Sequence, residues 1–221
     1  MVALKSIKAE RRRLADAVYD QLLTAIQDKQ ISHEDRLVQE RLAAQLQISR
    51  TPVREALRRL EADGFLTFEP HRGMIVVQLD HQSMMELYAM REVLEGTAAA
   101  LAARHASAAE IAVLFEMVEQ ETDISHDPAQ LAAHNVQFHQ TLFHAAHNRY
   151  LLKTANALRD SMALMRGTTM TVPGRAHTAL EEHSALAHAI QNRDSEAAEA
   201  AARSHIQAAQ QARLKLSLEP T

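Results

Sequence analysis

Apolar residues recur at every fourth position near the N-terminus, at Leu14, Val18, Leu22 and Ile26. This period matches one face of an α-helix and predicts an amphipathic helix over residues 8–28. A shorter helix is predicted near residues 38–46. A third helix begins at a Ser-Arg-Thr-Pro turn, because proline is tolerated in the first turn of a helix. It ends near Asp63 and Gly64, where glycine is a common stop.

The pattern of apolar positions changes after the third helix. Phe65, Leu66 and Phe68 form a short apolar segment, residues 69–73 have the composition of a turn, and residues 74–77 favour a β-strand. This succession predicts a small β-hairpin. Three helices followed by a hairpin indicate a winged helix-turn-helix domain over residues 1–77, and residues 78–81 are a short linker.

The chain from residue 82 onward is rich in alanine and carries no strand signal. Its helical segments are separated by short breaks that contain Ser, Pro, Gly, Thr or Asn. Six helices are predicted, at residues 82–105, 107–122, 127–146, 148–167, 174–191 and 194–216. We expect them to form an antiparallel bundle over residues 82–216, followed by a tail at residues 217–221. The predicted fold class is therefore mainly α.

Charge is distributed unevenly over a chain whose net charge is −4. Residues 1–77 have 13 Lys and Arg against 11 Asp and Glu, whereas residues 78–221 have 11 against 17. Such an asymmetry indicates two modules with different partners. Cysteine is absent, which excludes disulfides and thiolate metal sites, and no apolar run approaches the roughly 20 residues of a membrane span. We therefore expect a soluble cytoplasmic protein with no membrane partner.

The basic residues of the N-terminal module are concentrated on the third helix. Val53, Leu57 and Leu60 fall on its core-facing side, and Arg50, Arg54 and Arg58 follow one another along an adjacent face, with Thr51 further round. Arginine binds guanine bidentately in the major groove or pairs with phosphates, so this face is typical of a recognition helix. The alternative is a solvated face on which Arg–Glu pairs form within the helix.

The segment Leu37–Leu60, which contains SRTPVREAL, resembles the winged-helix domain of GntR-type transcription factors, as do Asp63–Leu66 and His71–Gly73. The resemblance implies that Arg50, Thr51 and Arg54 contact operator DNA, and that His71 and Gly73 approach the minor groove. Two positions depart from the family pattern: Glu40 stands where many relatives have an arginine, and Gln47 replaces a glycine usual in the turn.

Histidine is the residue type that stands out in the helical domain, which contains 11 of the 13 histidines. Imidazole is a common ligand of divalent metals, although most surface histidines have no such role. Asn135 and His139 are four residues apart and therefore share a helix face, and His183 and His205 lie on two later helices. Spacing alone does not choose this set over one that includes other histidines, at His134, His144, His147 and His188.

Five segments of this domain resemble the FCD ligand-binding domain of the FadR subfamily of GntR regulators: Met90–Glu95, Asn135–His139, Ala145–Asn148, Glu182–His183 and Arg203–His205. Six helices suggest the VanR-like branch. The resemblance implies a divalent metal (Zn, Ni or Mn) held by Asn135, His139, His183 and His205, and a small carboxylate metabolite as effector. It also implies that Arg91 contacts that effector, the alternative being an ion pair with Glu95. Asn135 replaces the commoner Asp, and His147 stands where glycine is usual.

These observations together predict a metabolite-responsive regulator that binds operator DNA as a homodimer, because two recognition helices read a palindrome better than one. Repression is the expected sign. Two alternatives stay open: a metal-dependent enzyme with a three-histidine site, and a sensor of acyl-CoA that uses no metal.

Overall fold

The computed structural model describes residues 4–165 and 167–218, with side chains from Arg13 onward. The described residues divide into two compact units. The first unit consists of residues 4–80 together with Asp160–Met165, and the second of His81–Arg159 together with residues 167–218. Grouping of Asp160–Met165 with the first unit was not indicated by any sequence pattern.

The first unit has three helices followed by a hairpin, as predicted. Helix α1 spans Leu4–Gln27, α2 spans Gln39–Gln45 and α3 spans Arg50–Ala62. Strands β1 (Leu66–Glu69) and β2 (Gly73–Val76) pair antiparallel, and Leu37 forms a further antiparallel bridge to Met74 of β2. The buried side chains of α1, α3 and the hairpin meet in one core that includes Val18, Leu22, Val53, Leu60 and Leu66.

Backbone geometry explains how this unit turns its corners. Gly64 has a φ of +82° immediately after α3, which confirms the predicted glycine stop. Gln47, between α2 and α3, has a φ of +54°, so a non-glycine side chain occupies a left-handed conformation there. Leu14 belongs to the apolar period of α1 but is 42% exposed, whereas Val18, Leu22 and Ile26 are buried.

The second unit contains six α-helices among its described residues. These are α4 (His81–His105), α5 (Ala108–Asp123), α6 (Pro128–Ala145), α7 (Arg149–Met162, whose last residues belong to the first unit), α8 (Arg175–Gln191) and α9 (Ser195–Leu218). Helix α4 packs against α6, α8 and α9, and α5 packs against α6 and α8. Small residues permit close approach in the core, which includes Ala98, Ala102 and Ala202 beside Leu114 and Leu142.

Three predicted boundaries differ from the structure. Helix α7 ends at Met162 rather than at residue 167, because Thr168 caps a short 3-10 helix at Thr169–Thr171 with its side chain and Gly167 has a φ of +63°. Helix α9 continues through Leu218, into the predicted tail, while residues 219–221 lie outside the described residues. Helix α4 begins at His81, inside the predicted linker. No helix within the described ranges is long and apolar enough to cross a membrane.

Candidate functional site

The outer face of α3 presents three arginines to solvent. Arg50, Arg54 and Arg58 are exposed and Thr51 is half-buried. The opposite face supplies buried residues to the core of the first unit, at Pro52, Val53, Ala56, Leu57 and Leu60. The helix therefore holds its guanidinium groups away from the core.

Glu40 and Arg50 form an ion pair between α2 and α3. The Arg50 Nη1 atom lies 3.4 Å from Glu40 Oε1, and both side chains are exposed. Glu40 is the residue that stands where many relatives have an arginine, so this chain places a carboxylate beside the first arginine of the exposed face. Arg59 is turned away from that face, since it pairs with Asp16 at 2.5 Å and covers the Tyr19 ring at 4.3 Å.

The hairpin turn places His71 and Gly73 at its tip. His71 is exposed with a φ of +73°. Gly73 has a φ of +82°, and a Cβ at this position would lie 3.0 Å from the Arg36 Nε atom, so a larger residue would meet both strain and crowding. Arg72 stabilises the turn because its guanidinium lies 3.3 Å from Glu69 and donates to the His33 carbonyl oxygen at 3.0 Å.

In the second unit, three histidines from three helices meet in the interior. His139 of α6, His183 of α8 and His205 of α9 are 6%, 1% and 2% exposed. One ring nitrogen from each lies within 4.8 Å of the others, and the Nε2 atoms of His139 and His205 are 3.1 Å apart. The structure thus brings together the three histidines that the resemblance selected.

Asn135 lies one helical turn before His139. Its Oδ1 atom is buried and has no hydrogen-bond partner within the described part of the chain, and the same is true of His183 Nε2. A buried acceptor without a partner is unfavourable unless a donor or a cation satisfies it. An amide oxygen and imidazole nitrogens are suitable ligands for a divalent transition metal, so the residues present fit such an ion.

Each of the three histidines also contacts a glutamate through its Nδ1 atom. Glu95 of α4 contacts His139, Glu121 of α5 contacts His183 at 2.7 Å, and Glu182 of α8 contacts His205 at 2.7 Å. Glu95 and Glu121 are almost fully buried, and Glu182 is half-buried. We call Glu95, Glu121 and Glu182 the outer carboxylates.

Each outer carboxylate contacts a further basic side chain. Arg91 donates to Glu95 through its Nε atom, Arg175 donates to Glu182 at 2.7 Å, and His134 Nδ1 lies 3.3 Å from Glu121. Arg91 is thus engaged in the Glu95 ion pair that was the alternative to effector contact. His134 has a place beside the site, whereas the other histidines that spacing left open are exposed, at His144, His147 and His188.

Burial and charge shift several pKa values in this region. Burial lowers the pKa of His139 and lowers that of His205 well below its usual value, the neighbouring His183 adding to the effect at His205. Both imidazoles are therefore neutral at pH 7. Burial would raise the pKa of Glu95, but the charges of Arg91 and His139 outweigh it and lower the pKa to about 2. Burial raises the pKa of Glu182.

Sequence reasoning did not find the outer carboxylates as part of the site. Glu95 and Glu182 lie within the segments that carried the FCD resemblance, which is the signal that pointed toward them. Glu121 had no such signal. Phe138 was also missed: it is fully buried and stacks on the His183 ring, with ring centroids 4.1 Å apart.

Comparison with known proteins identifies both units. Residues 14–76 match the family described as "Bacterial regulatory proteins, gntR family", and residues 86–208 match the family described as "FCD domain". The chain is 32% identical over 174 residues to the Nta operon transcriptional regulator of Aminobacter aminovorans, covering 78% of this chain and 81% of that protein. It is 36% identical over 170 residues to the probable D-xylose utilization operon transcriptional repressor of Paenarthrobacter nicotinovorans, covering 76% and 74%.

A solved structure shows the same fold. E. coli McbR/YncC superposes with a TM-score of 0.73 at 23% identity, covering 98% of this chain and 100% of that chain.

Proposed function

Because the chain belongs to the GntR family of bacterial regulatory proteins, and is therefore a DNA-binding transcription regulator and not an enzyme, we propose that it represses an operon by binding operator DNA through α3 and releases it in response to a small metabolite. The relative named as a D-xylose operon repressor supports repression as the sign. We assign DNA binding to residues 1–77 and effector binding to residues 82–216.

The arginine face of α3 is the surface that we assign to the major groove. Arg50, Thr51 and Arg54 are the proposed base-reading residues, Arg58 a phosphate contact, and His71 and Gly73 the wing contacts. The observation that supports this assignment is the exposure of three successive arginines on a helix whose other face is buried.

Operator binding by single variants tests this assignment. Arg50→Ala or Arg54→Ala should each lose about 1–3 kcal/mol of specific binding to the DNA that flanks its own gene, measured by fluorescence anisotropy against random competitor DNA. Arg59→Ala is the matched control, because Arg59 lies on the same helix but is engaged by Asp16 and Tyr19. Affinity unchanged in both Arg50→Ala and Arg54→Ala would refute the recognition-helix assignment.

The histidine cluster is the site that we assign to a divalent metal, with Asn135, His139, His183 and His205 as its ligands and zinc or nickel favoured over manganese by the imidazole donors. When bound, the ion would supply a Lewis-acidic position for a carboxylate oxygen of the effector. The observation that carries this proposal is the convergence of three buried imidazoles beside the unsatisfied Oδ1 of Asn135. The same convergence disfavours a metal-free acyl-CoA sensor. A direct contact between Arg91 and the effector stays a prediction.

Metal content and operator binding together test the site. His139→Ala, His183→Ala and His205→Ala should each abolish binding of about one metal ion per chain, measured by elemental analysis after dialysis against Zn²⁺. Operator affinity should largely survive, because these histidines belong to the second unit. The matched control is His144→Ala, since His144 is exposed on the same helix as His139. If the unaltered protein binds no zinc and zinc does not raise its melting temperature, the metal assignment is wrong.

We also propose that the protein binds DNA as a homodimer, since a twofold operator gives two equivalent half-sites. Met90 and Val93, which are exposed and lie one turn apart on α4, are apolar positions that a second copy can cover. Light scattering on the complex with DNA should give two chains per operator, and one chain per operator would contradict the proposal.

A further inference from the structure

The three histidines of the candidate metal site are held by three similar chains of side chains, each running from a basic residue through a glutamate to an imidazole. These chains are Arg91–Glu95–His139, His134–Glu121–His183 and Arg175–Glu182–His205. Resting on the metal site proposed above, we propose that the outer carboxylates are positioning residues, which direct all three Nε2 atoms toward one cation and supply the negative charge that the ligands lack.

The argument for direction begins with the tautomer. An ionised carboxylate accepts hydrogen bonds and donates none, so an imidazole nitrogen that faces it must carry the proton. Glu121 and Glu182 each lie 2.7 Å from an Nδ1 atom, and Glu95 contacts the third. The neutral rings therefore carry their protons on Nδ1 and have a lone pair on Nε2, which is the atom that binds a metal.

The interior of the cluster agrees with this tautomer only if a cation is present. The Nε2 atoms of His139 and His205 lie 3.1 Å apart, and His183 Nε2 is buried without a hydrogen-bond partner within the described residues. Three lone pairs that point at one another have no proton to share. A cation among them converts a repulsive arrangement into three coordination bonds.

The second part of the argument concerns charge. The four proposed ligands are all neutral, and Asn135 stands where an aspartate is usual, so the ligands offset none of the charge of a divalent ion. Three carboxylates lie one residue further out, and two of them, Glu95 and Glu121, are almost fully buried. Burial of a carboxylate is unfavourable without compensation. A cation at the centre compensates all three.

The basic residues behind the carboxylates complete the arrangement. Arg91 is held against Glu95, and Arg175, which is also buried, donates to Glu182 at 2.7 Å. Each guanidinium fixes its carboxylate, and the carboxylate then fixes the ring. Arg91 thus acts on the metal site through Glu95, a role that requires no contact with the effector.

The test uses the full chain and zinc alone. Glu182→Gln keeps the size of the side chain but removes its charge and allows its amide to donate to His205 Nδ1, which moves the ring proton to Nε2. Zinc affinity, measured by competition with a chromophoric chelator, should fall about 10–100-fold. Glu181→Gln is the matched control, because the adjacent Glu181 contacts only the exposed His177, at 3.4 Å, among the contacts described for it; its zinc affinity should be unchanged.

Two further readouts separate positioning from a general structural role. The melting temperature of the zinc-free Glu182→Gln protein should stay close to that of the unaltered chain, while the visible absorption bands of the Co²⁺-substituted protein should change because the His205 ring is no longer held. If the unaltered protein binds zinc and Glu182→Gln and Glu121→Gln both bind it equally well, the positioning role is refuted and the metal site stands. If the unaltered protein binds no zinc, the metal proposal itself fails.

Discussion

Phe138 supports the histidine cluster from behind, and its replacement tests how far the site depends on packing. The side chain is fully buried. It stacks on the His183 ring at a centroid distance of 4.1 Å and meets the His139 ring edge-on at 5.8 Å. Phe138→Ala and Phe138→Leu remove different parts of this set of contacts.

The expected magnitudes follow from burial and ring geometry. Replacement of a fully buried phenylalanine by alanine removes the transfer free energy of the ring and leaves a cavity, which lowers the free energy of unfolding by about 3–5 kcal/mol. Leucine refills most of the volume at a loss of up to about 1.5 kcal/mol. It lacks the ring contacts, each worth about 0.5–1.5 kcal/mol beyond area. We therefore expect Phe138→Leu to lose about 1–3 kcal/mol.

Differential scanning calorimetry in the presence of a chelator measures both effects without a contribution from bound metal. The transition of the second unit is the one that Leu60→Ala, in the core of the first unit, leaves unchanged. Phe138→Ala should lower its midpoint by roughly 6–20 °C. Tyr150→Ala is the control, because Tyr150 is 76% exposed. A shift below about 2 °C for Phe138→Ala would refute the packing argument, since that is the effect of less than about 1 kcal/mol.

Three further predictions concern stability. Gln47→Gly should raise the free energy of unfolding by up to about 1 kcal/mol, because Gln47 is left-handed, while Gln45→Gly in α2 should lower it by about 0.5–1 kcal/mol; the same sign for both in urea unfolding would contradict this. Ser107→Ala should cost about 0.5–2 kcal/mol by removing the capping box of α5, and an unchanged urea midpoint would argue against it. Burial lowers the pKa of His139 and His205, so the unfolded chain binds protons first on acidification. Stability in chelator should therefore fall as pH drops below about 6.5, and a pH-independent midpoint between pH 7 and 5 would disprove it.

The sequence was sufficient for the features that repeat along one element. The four-residue period of α1 and the buried and exposed faces of α3 follow from helix geometry, as does the sharing of one face of α6 by Asn135 and His139. Such features need no knowledge of neighbouring helices. The choice of His183 and His205 came from the family resemblance, because spacing between different helices does not determine which side chains meet.

The outer carboxylates lie beyond this kind of reasoning. Glu121 and His183 are 62 residues apart and belong to α5 and α8, and the rotation of each helix about its own axis decides whether they face each other. A rotation by one residue, about 100°, would separate them. His134 illustrates the same limit: it is adjacent to Asn135 in sequence, yet its contact is with Glu121 of another helix.

The substitution of Asn135 tests whether the outer carboxylates account for the charge balance of the site. If they offset the charge of the ion from a distance, an inner carboxylate adds to them and favours a harder cation. Asn135→Asp should then tighten binding of both Mn²⁺ and Zn²⁺, and of Mn²⁺ more, because carboxylate oxygen suits manganese and imidazole suits zinc. The Mn²⁺/Zn²⁺ preference should shift by on the order of tenfold, about 1.4 kcal/mol.

Competition titrations with each metal alone measure that preference. The control is Gln137→Glu, which introduces a carboxylate on the exposed side of the same helix and should change neither affinity. A weaker affinity for both metals in Asn135→Asp would mean that the added carboxylate is repelled by Glu95 and Glu121 more than it is attracted by the ion. In that case the site already has all the negative charge it can hold, and the amide of Asn135 is the ligand that keeps the cluster open to an anionic effector.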